Sequence, residues 1–200
     1  MEVGRLYACR RGGIAIDHIV IVSGSPSSTS RSERVLHYLG KRVEQEGFSI
    51  KHISVKDVDA DDLLFGNFNS DQIKHITYDL QQADGVIVGT PVYKSSYSGV
   101  LKALIDLLPQ DILQDTPVLP LMTGGSASHL LAIEYTLKPL LASLKGQSVK
   151  GLYFLDSQLD KTKENPIIDK EILERTNKQL EYFLGKVNQS IKYHRLLEVY

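Results

Sequence analysis

Apolar residues along this chain gather in five short runs, separated by stretches whose apolar positions recur every three or four residues. His18 to Ser23 is the first run, short and β-branched. A polar Gly/Ser/Pro segment then leads to a helical face carrying Val35, Leu39 and Val43. Phe48 to Val55 alternates through Phe48, Ile50, Ile53 and Val55, and the break in phase at His52 leaves its register open. A stretch rich in Asp reads as loop, Ser70 to Ala83 as helix, and Gly85 to Thr90 as a compact buried strand. Gly99 to Leu108 has helical spacing and is stopped by Pro109. Val118 to Met122 is a fourth strand and Val149 to Leu155 a fifth. Between them Leu130, Ile133, Leu137, Leu140, Leu141 and Leu144 mark the most periodic helix, which begins near Ser128. A last helix is expected from about Asp169 to Val187.

Buried strands alternating with helices predict an α/β fold, a parallel sheet covered on both faces by right-handed crossovers. Ligands of such sheets sit at the carboxyl ends of the strands, where strand order reverses. The loops after the first, third and fourth strands therefore carry the candidate chemistry. No repeat or low-complexity tract suggests a second domain, so residues 17–190 are read as one domain, with 1–16 and 191–200 as poorly ordered extensions.

Composition narrows the partners. A formal net charge of -1 gives no bulk attraction to nucleic acid or an anionic membrane. Cys9 is the single cysteine, which excludes an intrachain disulfide or a Cys-based cluster and fits a reducing cytoplasm. Asp17 and His18 interrupt the first apolar stretch, so neither a span nor a secretory segment can be drawn there, and Arg10-Arg11 reads as an accidental basic pair.

The loop after the first strand is Gly24-Ser25-Pro26-Ser27-Ser28-Thr29-Ser30-Arg31-Ser32, and Ser30 with Glu33 has the spacing of a capping box. Hydroxyls and unpaired amides at a positive helix end suit an anion, with Arg31 able to pair with a phosphate; equally, the serines can serve only to cap and turn. Neither GxxxxGK[ST] nor GxGxxG is present, and no acidic residue ends the second strand, so a single terminal phosphate such as that of FMN fits better than a Rossmann dinucleotide. The third strand runs into Thr90-Pro91-Val92-Tyr93-Lys94-Ser95-Ser96-Tyr97-Ser98-Gly99, where amides around Val92 to Lys94 can meet the edge of a planar ring. Tyr93 also suits simple packing, and Lys102 a solvated helix face. Thr123-Gly124-Gly125-Ser126 reads either as a close approach to a ligand or as a turn before a helix, and His129 as a surface histidine. Pro139 lacks the N–H that would bond the Tyr135 carbonyl, so a kink or π-bulge is expected near Tyr135.

GSPSSTSRS, TPVYKSSYSGVLKALID and LPLMTGGSASHLLAIEYTLKPLL, in that order, resemble the NADPH-dependent FMN reductase family, and within it the reductases of alkanesulfonate monooxygenase systems. The likeness spans about residues 17 to 190. It implies a flavodoxin-like five-stranded sheet of order 2-1-3-4-5. It further implies that Ser25, Ser30, Arg31 and Ser32 hold the FMN phosphate, that Pro91, Val92, Tyr93 and Lys94 border the isoalloxazine, that Ser98 is also a cofactor-binding residue, and that Thr123, Gly124 and Gly125 contact the ring. Tyr135 is implied to govern flavin residence at a subunit interface of a homo-oligomer, tetramer or dimer. Many relatives carry Arg at the place of Ser27, which shifts weight here onto Arg31 and implies modest FMN affinity.

The activity so implied is hydride transfer from NADPH to FMN, with no side chain assigned as catalytic, and delivery of reduced flavin to a monooxygenase. Two readings remain beside it: a flavodoxin-like electron carrier indifferent to NAD(P)H, and a reductase that retains FMN and passes electrons to quinones or azo dyes.

Overall fold

The first strand, β1 (His18–Ser23), occupies the predicted range, and its alternate residues divide between two cores. Ile19 and Ile21 join one buried cluster, Val20 and Val22 the other, which is the period-2 signature of a strand covered on both faces. The remaining strands are β2 (Ser49–Ser54), β3 (Gly85–Pro91), β4 (Pro117–Gly124), β5 (Gln147–Ser148) and β6 (Leu152–Leu155). All pair in parallel in the order β2-β1-β3-β4-β5, with β6 also paired to β4. This computed structural model describes residues 17–197; the expected extension 1–16, with Cys9, Arg10 and Arg11, lies outside them.

Among the described residues six α-helices accompany the strands: α1 (Arg31–Gln45), α2 (Ala60–Phe65), α3 (Asp71–Gln81), α4 (Gly99–Asp106), α5 (Lys138–Ser143) and, after the last strand, α6 (Lys170–Leu197). One core packs Val35, Leu36, Leu39 and Val43 of α1 and Phe183 and Val187 of α6 against Ile21, Ile87, Leu119 and Leu121. The other packs Ile73 and Leu80 of α3, Leu101 and Leu104 of α4 and Leu141 of α5 against Val22, Val86, Val88 and Met122. A Cβ built on Gly89 would lie 2.8 Å from a Leu36 methyl, so β3 has no room for a side chain where α1 crosses it.

Three segments differ from expectation. The Asp-rich stretch contains α2, capped by the Asp59 side chain and ended by Gly66 at φ 69°, a helix too short to show a periodicity. The last helix continues to Leu197, past the expected end at Val187 and past Ser190, where an extension was expected. The fifth strand is split. Val118 pairs with Ser148 and Leu121 with Leu152, so the break falls opposite Leu119 and Pro120. Pro120 has no N–H to give a neighbouring strand. Gly151 sits beside it at φ 84°, where an added Cβ would meet the proline ring at 3.0 Å. The proline within β4 is thus the cause of the interruption in its neighbour.

The phase break at His52 also resolves. β2 is an edge strand, and Lys51 and His52 are exposed at its middle while Ile53 turns inward. The His52 ring lies against His37 of α1, with centroids 4.6 Å apart. Desolvation chiefly, and the neighbouring His37, lower the His52 pKa below its usual value of 6.5, while Glu44 and Glu33 oppose the shift. Because the folded state favours neutral His52, its contribution is fully present above pH 6.5 and is lost as pH falls through the depressed folded pKa. Urea denaturation at pH 7 and pH 5 is expected to show a smaller loss of stability in His52→Gln than in the native protein. Equal losses would remove His52 from the account.

Candidate active site

Strand register brings the predicted loops to one edge. Ser23 pairs with Gly89, Pro91 with Thr123, and Gly124 with Leu155, so β1, β3, β4 and β6 end side by side. The reversal of strand order lies between β1 and β3, because β2 leaves on the far side of β1. Backbone bonds stitch the ends together: the Gly24 amide donates to Gly89 O at 2.8 Å and the Val92 amide to Thr123 O at 2.8 Å.

At the first loop Ser30 caps α1, its hydroxyl accepting from the Glu33 amide at 3.3 Å and lying 2.8 Å from the Ser32 hydroxyl. The box suggested by Glu33 is half-formed, since the Glu33 carboxylate instead pairs with Lys56 at 2.7 Å. Ser25 accepts from the Ser27 amide at 3.3 Å, and Ser25, Ser30 and Ser32 are all buried. The capping reading and the anion reading therefore meet in one loop: internal bonds make it rigid, and the first amides of a four-turn helix point out of its end. Arg31 stands at that end. Its Nη1 lies 3.5 Å from the carboxylate of Asp156, while its Nε is buried without a partner.

The third-strand loop is organised by Ser98 and Thr90. Ser98 is fully buried; it caps α4 by accepting from the Leu101 amide at 3.1 Å and donates to the carbonyl of Gly24. Thr90 accepts from the Ser98 amide at 3.1 Å. Ser98 thus ties the first loop to the third, its hydroxyl engaged as both donor and acceptor within the protein. Among the amides expected to meet a ring edge, those of Val92 and Tyr93 are engaged with Thr123 O and Ser96 O. The turn between Tyr93 and Ser96 places Lys94 and Ser95 at φ 51° and 63°, left-handed for residues that carry a Cβ. That strained turn leaves the Lys94 and Ser95 amides available, and Tyr93 stands 47% exposed beside it. Lys102 keeps to the bland reading, paired with Asp106 at 2.6 Å.

At the fourth-strand loop Gly124 is buried, and a side chain there would collide with the Tyr153 hydroxyl, whereas Gly125 is exposed and open. The Tyr153 hydroxyl donates to Ser126 O at 2.7 Å; burial, with the Asp156 charge, raises its pKa and keeps it a donor. Beyond this loop the chain makes a short turn at Ala127–His129 and then one π-helical turn, Ile133–Leu137, before α5. Lys138, immediately before Pro139, donates to Ile133 O, the i→i−5 bond of a π turn. Tyr135 sits at the middle of that turn, 75% exposed, with Leu130 and Leu131 also exposed nearby. Pro139→Ala restores an amide and is expected to stabilise the protein by about 1 kcal/mol, less than the ~3 kcal/mol of a mid-helix proline because Pro139 lies in the first turn of α5. Unchanged urea stability would separate the π turn from the proline.

Two residues of this edge escape the sequence reading, Asp156 and Tyr153. Tyr153 lies within β6 and Asp156 follows it directly, at a strand end to which the same rule points but after which no motif stands. Among the described residues no cluster of His, Cys, Asp and Glu could hold a metal, and no helix is long and apolar enough to cross a membrane.

A doubly wound parallel sheet with an anion-ready helix end and a strained turn at its switch point defines a flavodoxin-like nucleotide-binding protein. The model of the NADPH-dependent FMN reductase family matches residues 18–160, and the chain belongs to that family. It is 42% identical to the FMN reductase (NADPH) of Escherichia coli K12, over 82% of this chain and 87% of that one. It is 44% identical to a Pseudomonas putida FMN reductase (NADPH), over 70% and 72% of the two chains. Among solved structures it resembles the apo form of the NADH:FMN oxidoreductase EMOB, with TM-score 0.75 and 34% identity over 84% of this chain and 88% of that one. An archaeal flavodoxin, 12% identical with TM-score 0.55, shares the fold.

Proposed function

We propose that this protein reduces FMN with NADPH and releases the reduced flavin to a flavin-dependent monooxygenase, of the kind that desulfonates organic sulfonates. The observation that carries the reading is Arg31: a guanidinium at the outward-pointing end of α1, with a buried Nε that nothing in the fold satisfies. A phosphate ester suits that arrangement, because it offers several acceptor oxygens to a helix end and an arginine together.

In this reading the Arg31 and Ser32 amides and the Arg31 side chain hold the phosphate, on a loop shaped by Ser25, Ser30 and Ser32. Pro91, Val92 and Tyr93 border the ring, the Lys94 and Ser95 amides meet its polar edge, and Gly125, lacking a side chain, allows close approach. Thr123 and Gly124 hold this wall in place. FMN supplies the hydride acceptor, and NADPH the hydride; the protein's part is to stack the two rings and exclude water, so no acid–base residue is needed. Exposed Leu130, Leu131 and Tyr135 on the π-helical face support a homo-oligomer built through that face, with Tyr135 coupling assembly to flavin residence.

The test is steady-state NADPH oxidation by apoprotein across added FMN, with riboflavin and NADH as comparisons. Saturable dependence on FMN is expected. Oxidation that needs no added flavin once FMN is bound favours the FMN-retaining quinone or azo reductase, and no oxidation of NADPH with FMN bound favours the electron carrier.

A further inference from the structure

We infer that Asp156 competes with the flavin phosphate for Arg31 and thereby holds FMN affinity down, making it a residue that sets how readily flavin departs. The inference rests on the reading that the loop after β1 takes the phosphate.

Asp156 follows β6 directly and opens the short turn Asp156–Gln158, which places it at the carboxyl edge of the sheet beside the β4 loop. One carboxylate oxygen lies 3.5 Å from Arg31 Nη1, and the same oxygen is 3.9 Å from where a Cβ of Gly125 would stand. The carboxylate thus sits between the anion loop and the ring loop, against Arg31 at the start of α1.

The pair has little to do with holding the fold. Both side chains are about two-fifths exposed, at 38% and 42%, and the contact is single and long. Solvent-screened pairs of this kind contribute little to stability. Nor does Asp156 satisfy the guanidinium, since Nε remains buried and unpartnered. Arg31 is therefore held near its place with donors to spare, and an arriving phosphate shares it with a carboxylate of like sign. A phosphate monoester near neutral pH carries between one and a half and two negative charges, so the repulsion acts on FMN and not on riboflavin, which has the same ring without the phosphate. Opposing the anion in this way suits an enzyme whose product must leave.

The experiment measures FMN and riboflavin dissociation constants by quenching of flavin fluorescence in full-length native protein, Asp156→Asn, Asp156→Glu and Arg31→Ala. Asp156→Asn is expected to bind FMN about two- to fivefold more tightly, the range of a screened ion pair, with riboflavin unchanged. The gain should shrink as salt is added, and Asp156→Glu should restore weak binding. FMN affinity unchanged in Asp156→Asn overturns the inference, and so does weaker FMN binding, which would make Asp156 a support for Arg31 instead of its competitor. Arg31→Ala separates the two levels. If it weakens FMN and riboflavin equally, the phosphate reading fails; if it is selective for FMN while Asp156→Asn gains nothing, only the role of Asp156 fails.

Discussion

Ser98→Ala is expected to cost about 2–4 kcal/mol of stability, measured by urea denaturation. About 1 kcal/mol comes from the lost N-cap of α4, whose Leu101 amide would have no side-chain acceptor. The rest comes from the Gly24 carbonyl, which is buried and would lose the hydroxyl that donates to it. The deletion also uncouples the loop after β1 from the loop after β3, so affinity for FMN and for riboflavin should fall together. A stability loss below about 0.5 kcal/mol, the level of an ordinary surface change, would show that the cap and the tie contribute nothing.

Arg31→Ala has the opposite signature, large in binding and small in stability. Charge-assisted hydrogen bonds contribute about 1.5–3 kcal/mol, so FMN should bind about ten- to hundredfold more weakly. Riboflavin should be little affected, and the folded state should lose little, because the Arg31 pair with Asp156 is partly exposed and single. The pair of variants thus separates a residue that shapes the loop from one proposed to meet the phosphate. Equal losses for FMN and riboflavin in Arg31→Ala would place the phosphate elsewhere.

The parts of the fold legible in the sequence are those where one periodicity rules. β1 reads correctly to the residue because every position from Ile19 to Ser23 is buried and nothing interrupts the run. Helices α1, α3 and α4 read nearly as well, whereas the helix expected from near Ser128 opens with a short turn and a π turn and is α-helical only over Lys138–Ser143. Where two tendencies compete, reading by period fails in identifiable ways. Pro120 lies in a run apolar enough to be taken as an ordinary central strand, yet its missing amide breaks the next strand, a consequence visible only once the two are paired. At the site, the serine loop and Arg31 announce themselves by composition. The engagement of the Val92 and Tyr93 amides does not, because one depends on the Thr123 carbonyl that the neighbouring strand end presents and the other on a turn that brings Ser96 O back to Tyr93. Asp156 carries no motif at all; its nearness to Arg31 arises from sheet order, which brings residues over a hundred positions apart to one edge. Pro139 shows the favourable case, where a single residue with fixed chemistry marks the π turn from sequence alone.

The interrupted fifth strand has a bearing on how the molecule behaves among copies of itself. β5 is two residues long and β6 four, with Gly151 turned out of the extended conformation between them. A sheet margin that ran straight through this stretch would present an unbroken row of amides and carbonyls, which is the template on which other chains add as strands and grow into aggregates. Pro120 denies β4 a complete ladder on that side, and in doing so leaves the margin too short and too bent to recruit another strand.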